Sequence, residues 1–296
     1  MTLSEQFKSL IAQYQDPPRG TESRRQLEHD LQGVERALIE MPPRYQGADG
    51  GWRRRETGLV TPEQVRAGAT TDGLTQLDRL AMVRAPRVRD VFKIIPAKDV
   101  PDAIAEKKRQ RAENIHRIKY QLDQNGNGSC ATEGAGGALM ATQDKQGQKV
   151  ELLNPLFGYR LCNGGRDNGS SLADNIAVLK KHGLPRESVW SRSKGWRAEP
   201  SDEAWHDAQN NRLDEVLRVG DKLELITAMI NGPAFPYAGY PGHAWFAFDP
   251  IDLTRFWWKN SWGSDWGDNG ASTLRYDQIA WYYGVWVFLT AVRPAA

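Results

Sequence analysis

The run Gln124-Asn-Gly-Asn-Gly-Ser-Cys130 is a glycine-rich turn that ends in one of only two cysteines in the 296-residue chain. Behind it comes Ala131-Thr-Glu-Gly-Ala-Gly-Gly-Ala-Leu-Met140, a stretch with little side-chain bulk. A helix built from such residues lets its neighbours approach closely, so it belongs in the middle of a fold with Cys130 in or near its first turn. The free N–H groups and the dipole of a helix N-terminus favour negative charge, which lowers a thiol pKa and promotes the nucleophilic thiolate.

A nucleophilic thiolate needs an ion-pair partner, a group that orients that partner, and donors aimed at a developing oxyanion. The far half of the chain offers the first two. His243 lies in Tyr240-Pro-Gly-His-Ala-Trp-Phe-Ala-Phe248, where a turn delivers the imidazole onto the start of a buried strand. Asn260 follows seventeen residues later, ahead of Ser261 and Trp262. Its amide oxygen can accept the imidazole N–H, and Trp262 can cover that bond from water. The Cys130 backbone N–H and the Gln124 side-chain amide are candidate oxyanion donors.

Gln124 six positions before Cys130, the Gly128-Ser-Cys130 sequence, Cys162-Asn-Gly-Gly165, the pair His243-Ala244, and Asn260-Ser-Trp-Gly ahead of Trp266 and Gly270 together resemble a papain-like cysteine peptidase. The resemblance runs through residues 115–293 in that family's chain order. It implies a nucleophile at Cys130, an ion-pair partner and general acid at His243, an orienting amide at Asn260 and an oxyanion donor at Gln124. It also implies that Gly164 and Gly165 border the substrate groove, with Ala244 and Trp262 beside it. The implied fold is α+β with two lobes: a helical lobe carrying the cysteine, a β-barrel-like lobe carrying histidine and asparagine, and a cleft between them.

The departures from that family are specific. Ala131 stands where a tryptophan usually follows the nucleophile, and Asn127 replaces the cysteine that relatives join to the equivalent of Cys162. Cys162 is therefore expected to be a semi-buried, oxidisable free thiol, and no disulfide is expected. The 113 residues from Cys130 to His243 are fewer than in typical relatives, so a loop between the lobes is trimmed. Arg166 and Asp167 follow Gly165 where relatives often carry rings, so substrate preference does not carry over.

Ahead of this region, residues 1–110 read as a mostly helical extension, with 111–296 as the peptidase domain. Residues 2–14 are expected to be an amphipathic helix presenting Phe7, Leu10 and Ile11. Thr21 to Met41 is expected to be a second, with Leu27, Leu31, Val34, Leu38 and Ile39 at helical spacing. Residues 44–57 read as an exposed loop, Thr61 and the segment Leu74 to Ala81 as short helices, and Val91 to Ile95 as a strand or the close of the extension. A charged helix is expected from Asp102 to about Tyr120. Two readings of the extension stay open: an inhibitory leader lying through the cleft, or a segment that binds a partner protein. Further on, Ser170 to Gly183 and Pro200 to about Arg218 read as helices. Segments 223–230, 244–248, 256–259, 272–276 and 285–291 read as strands.

Hydrophobic residues at 40% and eleven tryptophans suffice for a large core, while a mean hydropathy of −0.63 and the lack of any long apolar run speak against a membrane span. The start lacks a secretory signal pattern, so a reducing compartment is expected. A net charge of +2 gives no footprint for nucleic acid, and Arg53 to Arg55 without interleaved aromatics reads as a solvated surface. Asp123, Asn125 and Asn127 imitate the start of a calcium loop, but the twelfth position is Gly134, and the five histidines show no zinc-ligand spacing. No metal or cofactor is expected. The expected activity is peptide-bond hydrolysis through a Cys130 acyl-enzyme. The alternatives are a papain-fold binding or structural module, and a thiol acyltransferase or isopeptidase. A protein or peptide is the expected substrate.

Overall fold

The structure is a computed structural model and describes residues 1–15, 21–40, 44–46, 52–54, 82, 84–231, 236–240 and 242–292. Two helices open the chain, α1 (Leu3–Gln15) and α2 (Thr21–Glu40), packed on one another as their apolar spacing predicts. In the expected loop, β1 (Arg44–Gln46) and β2 (Trp52–Arg54) pair antiparallel with Tyr45 opposite Arg53. The helices expected at Thr61 and at 74–81 lie outside the described residues.

The body contains α3 (Val88–Val91), α4 (Val100–Arg109), α5 (Cys130–Lys145), α6 (Pro155–Cys162), α7 (Leu172–Lys181), α8 (Asp202–Gln209) and α9 (Lys222–Asn231). Its strands are β3 (Leu213–Arg218), β4 (Pro236–Tyr240), β5 (His243–Pro250), β6 (Arg255–Lys259), β7 (Ala271–Arg275) and β8 (Trp286–Ala291). They form one antiparallel sheet in the order β3-β8-β4-β5-β6-β7. Among the described residues the edge strands β3 and β7 do not pair with each other, so the strand-rich lobe is an open sheet and not a closed barrel.

Helix α5 is the centre of the molecule. It packs on α6 and α7 from the helical side and on β4, β5 and β8 from the sheet side, and every residue from Cys130 to Gln143 is buried. Glycine makes this approach feasible: a Cβ on Gly137 would stand 2.5 Å from Cε1 of Phe246 in β5, and one on Gly136 would stand 3.0 Å from Pro155.

Several local expectations change. Residues 223–230 are helical, as α9, and β3 occupies the end of the segment expected to continue α8. Strand β4, which contains Pro236 and Gly239, replaces no predicted element. The segment Val91 to Ile95 holds the end of a one-turn helix and no strand, and α4 stops at Arg109 with a short 3₁₀ turn at Asn114–Arg117.

Two segments ahead of the site meet the body differently. Residues 84–117 are knitted into it: Arg87 and Arg89 pair with the buried Glu224 of α9, and the Ile95 N–H donates to Thr227 Oγ1 (3.0 Å). The buried Lys107 pairs with Asp249 at the end of β5 (2.9 Å), which also accepts the N–H groups of Asn114 and Ile115 at 3.0 Å each. Helices α1 and α2 instead lie on β6, β7 and the loop after β6. Phe7 meets Trp257 edge-on, Tyr14 donates to Asp252 (2.9 Å), and the fully buried Arg255 pairs with Glu35, which also accepts from Thr273.

Candidate active site

Cys130 is the first residue of the sixteen-residue α5, with Ser129 at its N-cap, so the sulfur lies at the positive end of a long buried helix. The preceding turn is held from several directions. Asp167 Oδ1 accepts from the Gly128 N–H (2.8 Å) and from the Tyr159 hydroxyl (2.6 Å), and that hydroxyl accepts from the Gly169 N–H (3.1 Å). Only glycine fits at 128, because a Cβ would stand 2.9 Å from the Tyr159 hydroxyl and 3.0 Å from the Gly169 nitrogen. Gln124 is fully buried; its Oε1 accepts from Ser261 Oγ (2.8 Å) and Trp262 Nε1 (3.1 Å), and its Nε2 donates to the Asn127 carbonyl (2.7 Å).

His243 begins β5, across the hairpin from Tyr240. Its Nε2 lies 2.7 Å from Asn260 Oδ1, and the Trp262 ring lies over the imidazole with centroids 4.7 Å apart. The carboxamide oxygen cannot donate, so Nε2 carries the proton. Among the described residues, His243 Nδ1 makes no hydrogen bond. Burial pushes the imidazole down to about 4, against the pull of its bond to Asn260. The neutral ring is thus the form favoured by burial, and it charges at ordinary pH only beside an anion.

The structure therefore brings His243, Asn260, Trp262 and Gln124 into one group, joined by hydrogen bonds and a tilted ring contact. Ala244 is fully buried next to the histidine. Gly164 and Gly165 follow α6 with φ of 65° and 75°, left-handed values that favour glycine, and a Cβ on Gly165 would meet nothing within 4 Å. Cys162 corrects the expectation of a semi-buried, oxidisable thiol: it is 2% exposed, and burial pushes its pKa up to about 12, which removes the thiolate character that oxidation needs. Neither cysteine forms a disulfide among the described residues. His182 ends α7 with its ring against Trp205, and His206 lies on the surface.

Four residues around the site escape the sequence reading. Ser261 orients Gln124, Asp167 holds Gly128, and Arg192 donates to the Asp123 carbonyl and pairs with Glu133. Tyr240 lies 5.5 Å from the His243 ring, with a buried hydroxyl that makes no hydrogen bond among the described residues. Only Ser261 had a local signal, its place between Asn260 and Trp262. Among the described residues no group of three or more His, Cys, Asp or Glu is arranged to hold a metal ion, and no helix is long and apolar enough to cross a membrane.

The fold is that of papain-like cysteine proteases. Xylellain, a cysteine protease from Xylella fastidiosa, superposes with a TM-score of 0.53 at 20% identity, covering 80% of this chain and 98% of its own. Procathepsin L2, a digestive proteinase of the Tenebrio molitor larval midgut, gives a TM-score of 0.53 at 14% identity over 98% of this chain and 100% of its own. The proform of the ragweed pollen allergen Amb a 11, also a cysteine protease, gives 0.50 at 16% identity over 97% and 93%. No protein-family model matches the chain, and no curated protein does.

Proposed function

We propose that the protein is a thiol endopeptidase in which Cys130 is the nucleophile. The observation that carries this reading is the His243–Asn260 bond of 2.7 Å under Trp262, which commits Nε2 to the amide and leaves Nδ1 as the ring nitrogen for a thiol proton. The Cys130 sulfur gives its proton to His243, and the thiolate attacks the peptide carbonyl. The oxyanion is held by the Cys130 N–H and the Gln124 amide, and the bond to nitrogen breaks as His243 protonates the leaving amine. Water, deprotonated by the same imidazole, then attacks the thioester, releasing the acid and restoring the thiol. Gly164 and Gly165 border the groove for the substrate backbone, with Ala244 and Trp262 on the other side.

In this reading residues 1–40 serve as a leader; the neighbours solved as proforms, which cover nearly the whole chain, support it. One observation favours a second reading, a papain-fold binding module: Cys130 and His243 are both wholly buried. Intact-mass analysis with a peptidyl epoxide, beside Cys130→Ala and Cys162→Ala, separates the two. The peptidase reading expects a single adduct that Cys162→Ala retains and Cys130→Ala loses. No adduct on the full chain or on a chain clipped of its first 40 residues would support the binding module instead.

A further inference from the structure

Glu133 lies in the first turn of α5, three residues after Cys130, and is fully buried. Arg192 meets it with both arms of its guanidinium, Nη1 to Oε2 at 3.0 Å and Nη2 to Oε1 at 2.6 Å. Nη2 also donates to the carbonyl of Asp123, the residue before Gln124. Arg192 is itself held, since its backbone N–H donates to Glu187 Oε1 (2.8 Å) and the neighbouring Ser191 hydroxyl donates to the same oxygen (3.0 Å). One rigid fork thus joins the two ends of the turn that runs from Gln124 to Cys130.

Stability alone does not account for this arrangement, because a buried ion pair is commonly no better than an apolar pair of similar volume. An apolar pair has no donor for the Asp123 carbonyl. That carbonyl belongs to the peptide plane leading into Gln124, so pinning it fixes where the Gln124 side chain starts, while Ser261 and Trp262 fix where its amide ends. A lysine reaches one point and lacks the planar fork.

We propose that Arg192 is a positioning residue that sets the Gln124 oxyanion donor against the Cys130 helix, acting through the Asp123 carbonyl and Glu133. This rests on the peptidase reading above. It predicts a selective defect: oxyanion stabilisation is lost while the thiol stays reactive.

Two probes on the full-length chain separate these properties. A peptidyl epoxide alkylates sulfur by ring opening and forms no carbonyl oxyanion. A peptidyl nitrile forms a thioimidate whose nitrogen takes the oxyanion position, and its affinity is read from protection against epoxide labelling. Arg192→Lys and the double variant Arg192→Met with Glu133→Leu are compared with wild type, with thermal melts to verify folding. Epoxide labelling of Cys130 should stay within about threefold of wild type, while nitrile affinity falls by ~10- to 100-fold in both variants, the range for a displaced oxyanion donor. Wild-type nitrile affinity in either folded variant overturns the role of Arg192, as does a wild type that labels yet ignores the nitrile. A wild type whose Cys130 labels neither as the full chain nor after its first 40 residues are clipped removes the peptidase reading itself, a separate failure.

Discussion

Gly128 shows how little room a single residue has in this site. Its hydrogen takes the only space between the Tyr159 hydroxyl and the Gly169 nitrogen, and its N–H is held by Asp167. Gly128→Ala should cost about 1–3 kcal/mol of stability, as overpacking does, and slow epoxide labelling of Cys130 by at least ~10-fold, since the turn must shift to admit the methyl group. Wild-type labelling would show that the turn tolerates displacement. His243 gives a pH prediction. Cys130→Ala removes the thiolate that the peptidase reading sets against the ring, so the imidazole should titrate in NMR near 4 and not near its ordinary 6.5. Between these values the unfolded chain binds more protons than the folded one, so stability is full above about 6.5 and falls as pH drops towards 4. The whole effect is about 3 kcal/mol. A ring titrating near 6.5 would mean that water reaches the imidazole. Gln124, Cys130, His243 and Asn260 could be singled out in the sequence because the proposed thiol chemistry calls for those residue types, each flanked by local signals. Arg192 and Asp167 could not, because their partners Glu133 and Gly128 lie 59 and 39 residues away and an arginine or aspartate in a polar loop has no signature of its own.

Among the elements, α5 was recognised by its small residues and α9 was mistaken for a strand, for related reasons. Helix α5 is buried all round, so no apolar stripe could announce it; the clue was the lack of bulk that lets β5 and α6 close in. In α9 the residues from Glu224 to Met229 are all buried, which likewise erases the 3.6-residue pattern and leaves an apolar run readable either way. Its polar side chains are taken up by distant partners, Glu224 by Arg87 and Arg89 and Thr227 by Ile95. These contacts suit the helical arrangement, and the local sequence does not contain them. The approach of α5 to β5 supplies the test at this scale. Gly137→Val places branched carbon where a Cβ alone would lie 2.5 Å from the Phe246 ring. The helix must move off the sheet, so the cost should be about 3 kcal/mol, at the upper end for overpacking, read as a lower denaturation midpoint. Since α5 carries Cys130 and β5 carries His243, the same movement should slow thiol labelling. A variant with wild-type stability would show that Phe246 can swing aside.

At the scale of the whole molecule, the question is which part of the chain ahead of the site can separate from it. We expect residues 1–40 to separate before residues 84–117 do, because these two segments are held by different contacts. Residues 84–117 end in the buried cluster of Lys107, Asn114 and Asp249, which joins α4 to the strand that begins at His243. Helices α1 and α2 rest on one face of the sheet, chiefly through Glu35 on Arg255 and Thr273, and through Leu38, whose carbonyl accepts from Trp266 Nε1 (3.1 Å). Trp266 in turn meets Trp262, the ring over His243, edge-on at 5.6 Å. Removing one partner of a buried ion pair costs about 3–5 kcal/mol because the other charge stays buried, but the two pairs should spend that cost in different places. Glu35→Ala leaves Arg255 facing an interface that can open, so amide hydrogen exchange should accelerate across 3–40 while 100–117 stays protected. Asp249→Ala leaves Lys107 inside the body, so protection should fall throughout residues 84–292 and the melting temperature should drop. If Glu35→Ala instead exposed 100–117 together with 3–40, the two segments would open as one unit.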